Sequence, residues 1–165
     1  MKVLVISDSH GRTKLLNEIV ERVRPDHVIH CGDFCTSRQN LPSGSLTVVR
    51  GNCDWETVPE EQIFETGSLR FFVTHGHRHQ VKYSLLPIRY RAQETGADIA
   101  CFGHTHLPIC EKDEGILLIN PGSISYPRGF KYRTYAVLEK KENQPLKVSF
   151  YKVDGSPVPE LAYEE

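Results

Sequence analysis

No stretch of the chain approaches the roughly 20 consecutive apolar residues that a membrane-spanning helix requires. Runs such as Val3-Leu4-Val5-Ile6 and Ile116-Leu117-Leu118-Ile119 stop after four residues, so no membrane association through a spanning helix is expected. An excess of one charge is missing too, since 20 Lys and Arg stand against 21 Asp and Glu for a net charge of −1. So balanced a chain has no basic footprint for a nucleic-acid backbone or an anionic membrane surface, and stable binding to either is not expected. Cysteines are few and odd in number, five in 165 residues, which argues against a disulfide framework and for reduced thiols. Cys31 and Cys35 form a Cys-x3-Cys pair, but no second pair at finger-like spacing accompanies it, and buried apolar thiols are the simpler reading. A secretory start is lacking as well, because only four apolar residues separate Lys2 from Ser7-Asp8-Ser9-His10, and a cytoplasmic location is the expectation.

What is present is an ordinary globular composition, 39% hydrophobic and 25% charged, in a length that suits one domain over residues 1–165. Short β-branched runs alternate with two helical patterns and then continue as strands alone, giving an α/β start and a β-rich finish. The spacing of Leu15, Leu16, Ile19, Val20 and Val23 predicts an amphipathic helix over about Arg12–Arg24, stopped by Pro25. A second helix is expected over about Leu85–Thr95, with Ser84 as N-cap, Pro87 in the first turn and Gly96 at the end. Strands are expected at 2–7, 27–31, 46–50, 62–65, 69–74, 99–102, 108–112, 116–120, 134–138 and 146–153. The last residues, 154–165, carry Pro157 and Pro159 and read as a surface tail.

Five of the apolar runs end alike, in a glycine and one or more side chains able to bind a metal. These ends are Ser7-Asp8-Ser9-His10-Gly11, Gly32-Asp33, Gly51-Asn52-Cys53-Asp54, His75-Gly76-His77 and Gly103-His104-Thr105-His106. In a sheet built from βα connections, residues just past the carboxyl ends of the strands gather in one crevice, where glycine lets the backbone turn and approach closely. One Asp-x-His or His-x-His is weak, whereas five converging segments carry weight. Carboxylates, imidazoles and one amide suit Mn, Fe, Co, Ni or Zn better than Mg or Ca. Seven donors exceed the needs of one ion that also binds water and substrate, and two ions about 3.5–4 Å apart sharing a carboxylate would use them all. Histidines outside this set receive plainer readings: His30 as a hydrogen-bonded core residue and His27 as a surface residue.

In this order and at these intervals, Asp-x-His, Gly-Asp, Gly-Asn, His-Gly-His and Gly-His-Thr-His resemble the calcineurin-like metallophosphoesterase superfamily. Within it, the chain is most similar to the small, cap-less phosphodiesterases of the YfcE family, from β-strand one through Asn120-Pro121-Gly122-Ser123. The resemblance implies a four-layer α/β sandwich, two facing mixed β-sheets flanked by helices, with a dinuclear centre at the strand ends. It implies that Asp8, His10, Asp33 and His106 hold one divalent transition metal ion, and that Asp33, Asn52, His75 and His104 hold the other. Mn is the first expectation for both, with Ni, Fe, Co or Zn as alternatives. The implied activity is hydrolysis of a small phosphodiester substrate by a metal-bridging hydroxide. Two rivals stand beside it: a mononuclear zinc hydrolase, and a non-catalytic protein-binding scaffold of the kind the retromer small subunit makes from this fold.

Much of the superfamily has a histidine after the asparagine, where this chain has Cys53 followed by Asp54, the form shared by the YfcE-like subgroup. A thiol of ordinary pKa about 8.5 is a poorer acid for the leaving group at neutral pH than an imidazole. Diesters with good leaving groups are therefore the expected substrates, with Asn52, Cys53, Asp54 and His77 as candidate catalytic residues and His79 as a lesser one. Arg128, in Tyr126-Pro127-Arg128-Gly129, is a candidate for binding a phosphate oxygen. Trp55 and Tyr83 are equally readable as base-stacking or as packing residues. The lack of a long insertion implies an open, shallow pocket, and a homo-oligomer in which a neighbouring subunit completes it is one expectation beside the monomer.

Overall fold

The computed structural model describes residues 1–165. In chain order its elements are β1 (Lys2–Ile6), α1 (Thr13–Val23), β2 (His27–His30), β3 (Leu46–Val48), β4 (Glu61–Thr66) and β5 (Leu69–Thr74), then α2 (Leu86–Glu94), β6 (Ile99–Cys101), β7 (Ile109–Asp113), β8 (Ile116–Asn120), β9 (Thr134–Glu139), β10 (Lys147–Lys152) and β11 (Tyr163–Glu164). They form a six-stranded sheet in the order β11-β10-β9-β1-β2-β3 and a five-stranded sheet in the order β4-β5-β6-β8-β7. Each sheet is mixed. Strands β1, β2 and β3 run parallel in the first, as do β5, β6 and β8 in the second, and the remaining strands pair antiparallel.

Alternation along the strands sorts their side chains into layers. Val3 and Val5 of β1 meet Phe71 and Val73 of β5, Ile99 of β6 and Ile119 of β8 in a core cluster of 17 buried residues between the sheets. Leu4 and Ile6, on the other face of β1, pack with Leu16 and Ile19 of α1. Phe72, Ala100 and Leu118, on the other face of the second sheet, pack with Ile88 and Ala92 of α2. The layers are therefore helix, sheet, sheet, helix, the four-layer sandwich that the resemblance implies. Helix α1 ends where Arg24 turns left-handed at φ 50° and donates its N–H to the Val20 carbonyl, just before Pro25. Helix α2 starts at Leu86, one residue later than expected, and Ser84 Oγ accepts the Leu86 N–H at 3.1 Å.

Two expectations are corrected. His27, read as a surface residue, is buried: its ring stacks 3.7 Å from that of Phe64 across the sheets, and Nε2 lies 2.8 Å from Thr47 Oγ1. Residues 154–165 are not a free tail. Pro157 forms a bridge with Tyr151, Val158 is buried against Phe150 in the inter-sheet core, and β11 adds an edge strand to β10. A β-branched or aromatic residue every few positions was the available signal, masked by the two prolines.

Burying one valine is worth about 1.5–3 kcal/mol. Deletion of residues 155–165 is accordingly expected to destabilise the chain by at least about 2 kcal/mol in denaturant unfolding, since the β11 ladder is lost as well. Unchanged stability would mean that the segment is only laid on the surface.

Candidate metal centre

Each of the five donor segments leaves the carboxyl end of a parallel strand, β1, β2 or β3 in one sheet and β5 or β6 in the other. The segments meet, and all seven expected donors come together. Asp8 Oδ1 lies 3.2 Å from His106 Nε2, 3.8 Å from His10 Nε2 and 3.9 Å from His75 Nε2. Asp33 Oδ2 lies 3.3 Å from His75 Nε2 and 3.9 Å from His10 Nε2, so one oxygen stands between the two halves of the cluster. Asn52 Oδ1 completes the second half at 3.1 Å from His75 Nε2. Two groups with metal-ligand spacing result: Asp8, His10 and His106, and Asp33, His75 and His104.

Hydrogen bonds from behind decide which atoms face inward. His75 Nδ1 donates to the Cys31 carbonyl at 2.7 Å and His106 Nδ1 to the Tyr126 carbonyl at 2.8 Å, because a carbonyl can only accept. A neutral ring so held presents its Nε2 lone pair forward. Asp8 Oδ2 accepts from Ser7 Oγ at 2.6 Å and from the His104 N–H at 3.1 Å, while Asp33 Oδ1 accepts the Cys53 N–H at 2.9 Å. Each carboxylate thus offers its other oxygen to the cluster, and Asp8 Oδ1 is buried without any hydrogen-bond partner. Convergent lone pairs of oxygen and nitrogen around an unpartnered buried anion fit a cation.

The backbone is bent to make this possible. Five of the seven donors sit at left-handed φ: Asp8 at 52°, His10 at 43°, Asp33 at 57°, His104 at 69° and His106 at 61°. Such conformations cost roughly 1–3 kcal/mol each and collect at functional sites. Two glycines are required by close approach. A Cβ on Gly51 would collide with Asp33 Oδ1, and one on Gly103 with Ser7 Oγ and with Asp8 Oδ2.

The remaining expected site residues separate. Asp54 offers no oxygen to the cluster: Oδ2 accepts the N–H groups of Asp33 and Gly51 at 2.8 and 2.7 Å, and Oδ1 accepts that of Cys35 at 2.8 Å. It clamps the Asp33 loop to the Asn52 loop. Cys53 is exposed, its Sγ 3.7 Å from Asn52 Nδ2, and burial together with the Asp33 charge pushes its thiol up. The His77 ring lies 5.3 Å from that of His75 and 6.0 Å from that of His104, with Nδ1 buried and unpartnered. His79 turns away to pair with Glu61 at 3.3 Å. Arg128 is exposed and its N–H reaches the His106 carbonyl at 3.4 Å. Trp55 and Tyr83 are exposed, at 64% and 88%, and pack into no core. His30 is the hydrogen-bonded core histidine expected, accepting the Gly32 N–H at Nδ1 and holding Ser9 Oγ at Nε2.

Sequence reasoning missed the supports. Ser123 Oγ and Ser125 Oγ both donate to the Asp8 carbonyl, at 2.8 and 3.0 Å. Asn120 Nδ2 holds Gly103 O and Thr105 Oγ1 at 3.0 and 2.9 Å, pinning the His104–His106 loop. The Tyr126 ring stacks 5.2 Å from the His10 ring. The signal in the sequence that points to them is the Asn120-Pro121-Gly122-Ser123 string at the end of the stretch that carries the resemblance.

Residues 1–143 match the family described as the calcineurin-like phosphoesterase superfamily domain. The chain belongs to that superfamily. Similar proteins are named as metallophosphoesterases and phosphodiesterases. A probable metallophosphoesterase of Bacillus subtilis, YsnB, is 42% identical over 98% of this chain and 96% of its own. Phosphodiesterase YfcE of Escherichia coli K12 is 30% identical over 84% of this chain and 88% of its own. A solved structure of a conserved, predicted phosphoesterase from Streptococcus pneumoniae TIGR4 superposes with a TM-score of 0.90 at 34% identity, covering 99% of this chain and 96% of that one. Vps29 from Entamoeba histolytica, at 23% identity and a TM-score of 0.80 over 100% of this chain and 98% of that one, shares the fold.

Charge inside the cluster sets how it titrates. Burial pushes the His75 imidazolium down, but the Asp33 hydrogen bond and the Asp8 charge outweigh it and hold the pKa above the ordinary 6.5. His104, desolvated and facing His75 and Lys82, falls to about 4. A metal needs both rings neutral. Metal affinity is therefore expected to be full above the raised His75 pKa and to decline as pH falls through it, starting above pH 6.5, with no contribution from His104 until about pH 4. Calorimetric metal titrations at several pH values check the window, and an affinity flat down to pH 5 would contradict it.

Replacing Asp54 strands two buried N–H groups, of Asp33 and Gly51, and the partly buried one of Cys35, with about 1–3 kcal/mol at stake for each when left unpaired. Asp54→Ala is expected to lose at least about 3 kcal/mol of stability and, by loosening Asp33, about 10–100-fold in metal affinity. Asp54→Asn, which keeps one acceptor oxygen, should lose less of both by denaturant unfolding and metal titration. Equal, small effects would remove the clamp.

Proposed function

We propose that the chain is a phosphodiesterase working with two divalent transition metal ions. Asp8, His10, Asp33 and His106 would hold one, and Asp33, Asn52, His75 and His104 the other. One observation carries the reading: the buried, unpartnered Asp8 Oδ1 and the Asp33 Oδ2 that stands between His10 and His75. When bound, such an ion pair supplies Lewis-acid stabilisation of the phosphoryl oxygens and a nucleophile from water at neutral pH. Three carboxylate or amide oxygens and four imidazole nitrogens, with no thiolate, favour Mn, followed by Ni, Fe, Co or Zn.

The chain's own residues define the rest. Asp54 acts by position, because both of its oxygens are engaged by backbone, and it is withdrawn as a proton carrier. His77 and Cys53 remain as candidates at the rim. Burial, then the charge of His75, lowers the His77 pKa, while the Cys53 thiol is raised, so one is short of protons and the other holds its proton tightly. Weak acid catalysis favours leaving groups that depart without help, hence activated diesters over alkyl monoesters. Arg128, exposed and bonded through its backbone to the His106 carbonyl, would be the residue to meet a phosphate oxygen.

An intact set of seven donors speaks against the scaffold reading, and the shared position of Asp33 Oδ2 against a single zinc. Metal analysis is expected to find two ions per chain. In a screen of aryl, cyclic and linear nucleotide diesters and monoesters with Mn, the activated diesters should turn over at least about 100-fold faster than alkyl monoesters. A chelator should abolish turnover and Mn restore it, and Asp33→Asn should lower both stoichiometry and rate. Saturation by one ion would favour the mononuclear hydrolase. Metal binding without turnover of any ester would favour the scaffold.

A further inference from the structure

Cys35 has no part in the phosphoesterase reading, and it stands beside Cys53, which that reading leaves only as a candidate proton carrier at the rim. One lies two residues past Asp33 and the other one residue past Asn52, on the two loops that Asp54 clamps. With His10 they form a third donor group, whose ligand atoms all lie within 4.8 Å of one another. His10 has two edges. Its Nε2 faces Asp8 and Asp33 at 3.8 and 3.9 Å, while its Nδ1 lies 3.5 Å from Cys35 Sγ, on the far side of the ring.

We propose that Cys35, Cys53 and His10 Nδ1 form a separate site for a thiophilic cation such as Zn2+, Cd2+ or Cu+, coupled to the hard-metal cluster through the shared His10 ring. Thiolate and imidazole are the ligands that such ions select over carboxylate-rich sites. The spacing fits: a tetrahedral zinc with Zn–S about 2.3 Å and Zn–N about 2.0–2.1 Å sets nitrogen and sulfur roughly 3.5 Å apart, and the His10–Cys35 pair is at 3.5 Å. Entry is open, since Cys53 is exposed and Cys35 half-buried, and solvent can fill the fourth position.

Binding replaces two S–H bonds with two metal–sulfur bonds and releases both thiol protons to solvent. The ring gives its Nδ1 lone pair and keeps its proton on Nε2, the atom turned toward Asp8 and Asp33. Occupation of the thiol site therefore withdraws His10 from the hard cluster, and by linkage the hard metal weakens the thiophilic one by the same factor. The other cysteines do not compete for this role, because Cys31 and Cys101 are buried in the inter-sheet core and Cys110 lies on β7, outside the group.

Cadmium is the probe, because only thiolate ligation gives it an ultraviolet sulfur-to-metal charge-transfer band, whereas occupation of the oxygen and nitrogen cluster is silent. Titration of the metal-free, reduced chain is expected to develop the band with one equivalent. Cys35→Ser and Cys53→Ser should each weaken that binding at least about tenfold, Cys110→Ser should leave it unchanged, and prior loading with Mn2+ should weaken it about tenfold. Cys53 is exposed, so Cys53→Ser decides the matter should Cys35→Ser fail to fold, with circular dichroism as the check. No band in the wild type, an unchanged band in Cys53→Ser, loss of the band in Cys110→Ser, or indifference to Mn2+ would each overturn the proposal.

Discussion

Lone pairs aimed at one another in a buried pocket are the constraint around which the rest of the molecule is arranged. His75 and His106 are each fixed from behind by a carbonyl that accepts Nδ1–H, and Asp8 and Asp33 each have one oxygen tied to backbone or hydroxyl donors. What remains facing inward is two carboxylate oxygens and imidazole nitrogens within 3.2–3.9 Å. No protein group donates a hydrogen bond to Asp8 Oδ1. A proton on a ring or a metal ion answers that arrangement, and the raised pKa of His75 is the protonic answer to the same electrostatic demand. Proton and metal therefore compete for one field, which makes the cluster's charge state a property of all its members together.

Holding such a field demands stiffness from the scaffold. Left-handed backbone at five of the seven donors is a burden of roughly 1–3 kcal/mol per residue, on a domain whose whole net stability is of the order of 5–15 kcal/mol. It persists because every strained loop is tied down on a second side. Asp54 joins the Asp33 and Asn52 loops, Asn120 holds the His104–His106 loop, and two serine hydroxyls fix the Asp8 carbonyl. Gly51 and Gly103 remove the Cβ atoms that would push the carboxylates out of place. The ties are polar and local, whereas the strands that carry them are anchored by the apolar layer between the sheets.

Strands and donors were legible in the sequence for the same reason: both are written in short periodic segments. Alternation such as Val3-Leu4-Val5-Ile6 reports two buried faces, and a glycine with Asp or His at its end reports a turn that must approach a ligand. All ten expected strands occur, with ends shifted by a few residues. Contacts between loops distant in sequence were not legible. Asp54 follows Asn-Cys and looks like a catalytic partner, yet its oxygens are spent on backbone donors up to 21 residues away. His27 is a polar residue at the start of a strand, and its burial depends on Phe64, from the other sheet, stacking on its ring. Pro157 and Pro159 announce a loop, and the burial of Val158 beneath them depends on the shape of the core they dock against. Periodicity encodes which face is inside, and says nothing about which loop reaches which.

The division of labour between the two edges of the sheets follows from strand direction. Six strands run parallel in two groups, β1-β2-β3 and β5-β6-β8, and their carboxyl ends face one edge of the sandwich. Five of these ends carry the donors, and the sixth, at β8, carries Asn120, which pins the last donor loop. The antiparallel strands carry none. Their hairpins, between β4 and β5, β7 and β8, and β9 and β10, turn at the other edge, as the pairings of Thr66 with Leu69, Asp113 with Ile116 and Lys2 with Glu139 require. Parallel pairing forces long crossovers, and those crossovers are where helices α1 and α2 are placed. The chemistry-bearing loops are thus the inevitable free ends of the parallel strands, while the antiparallel strands widen the core that keeps those ends rigid.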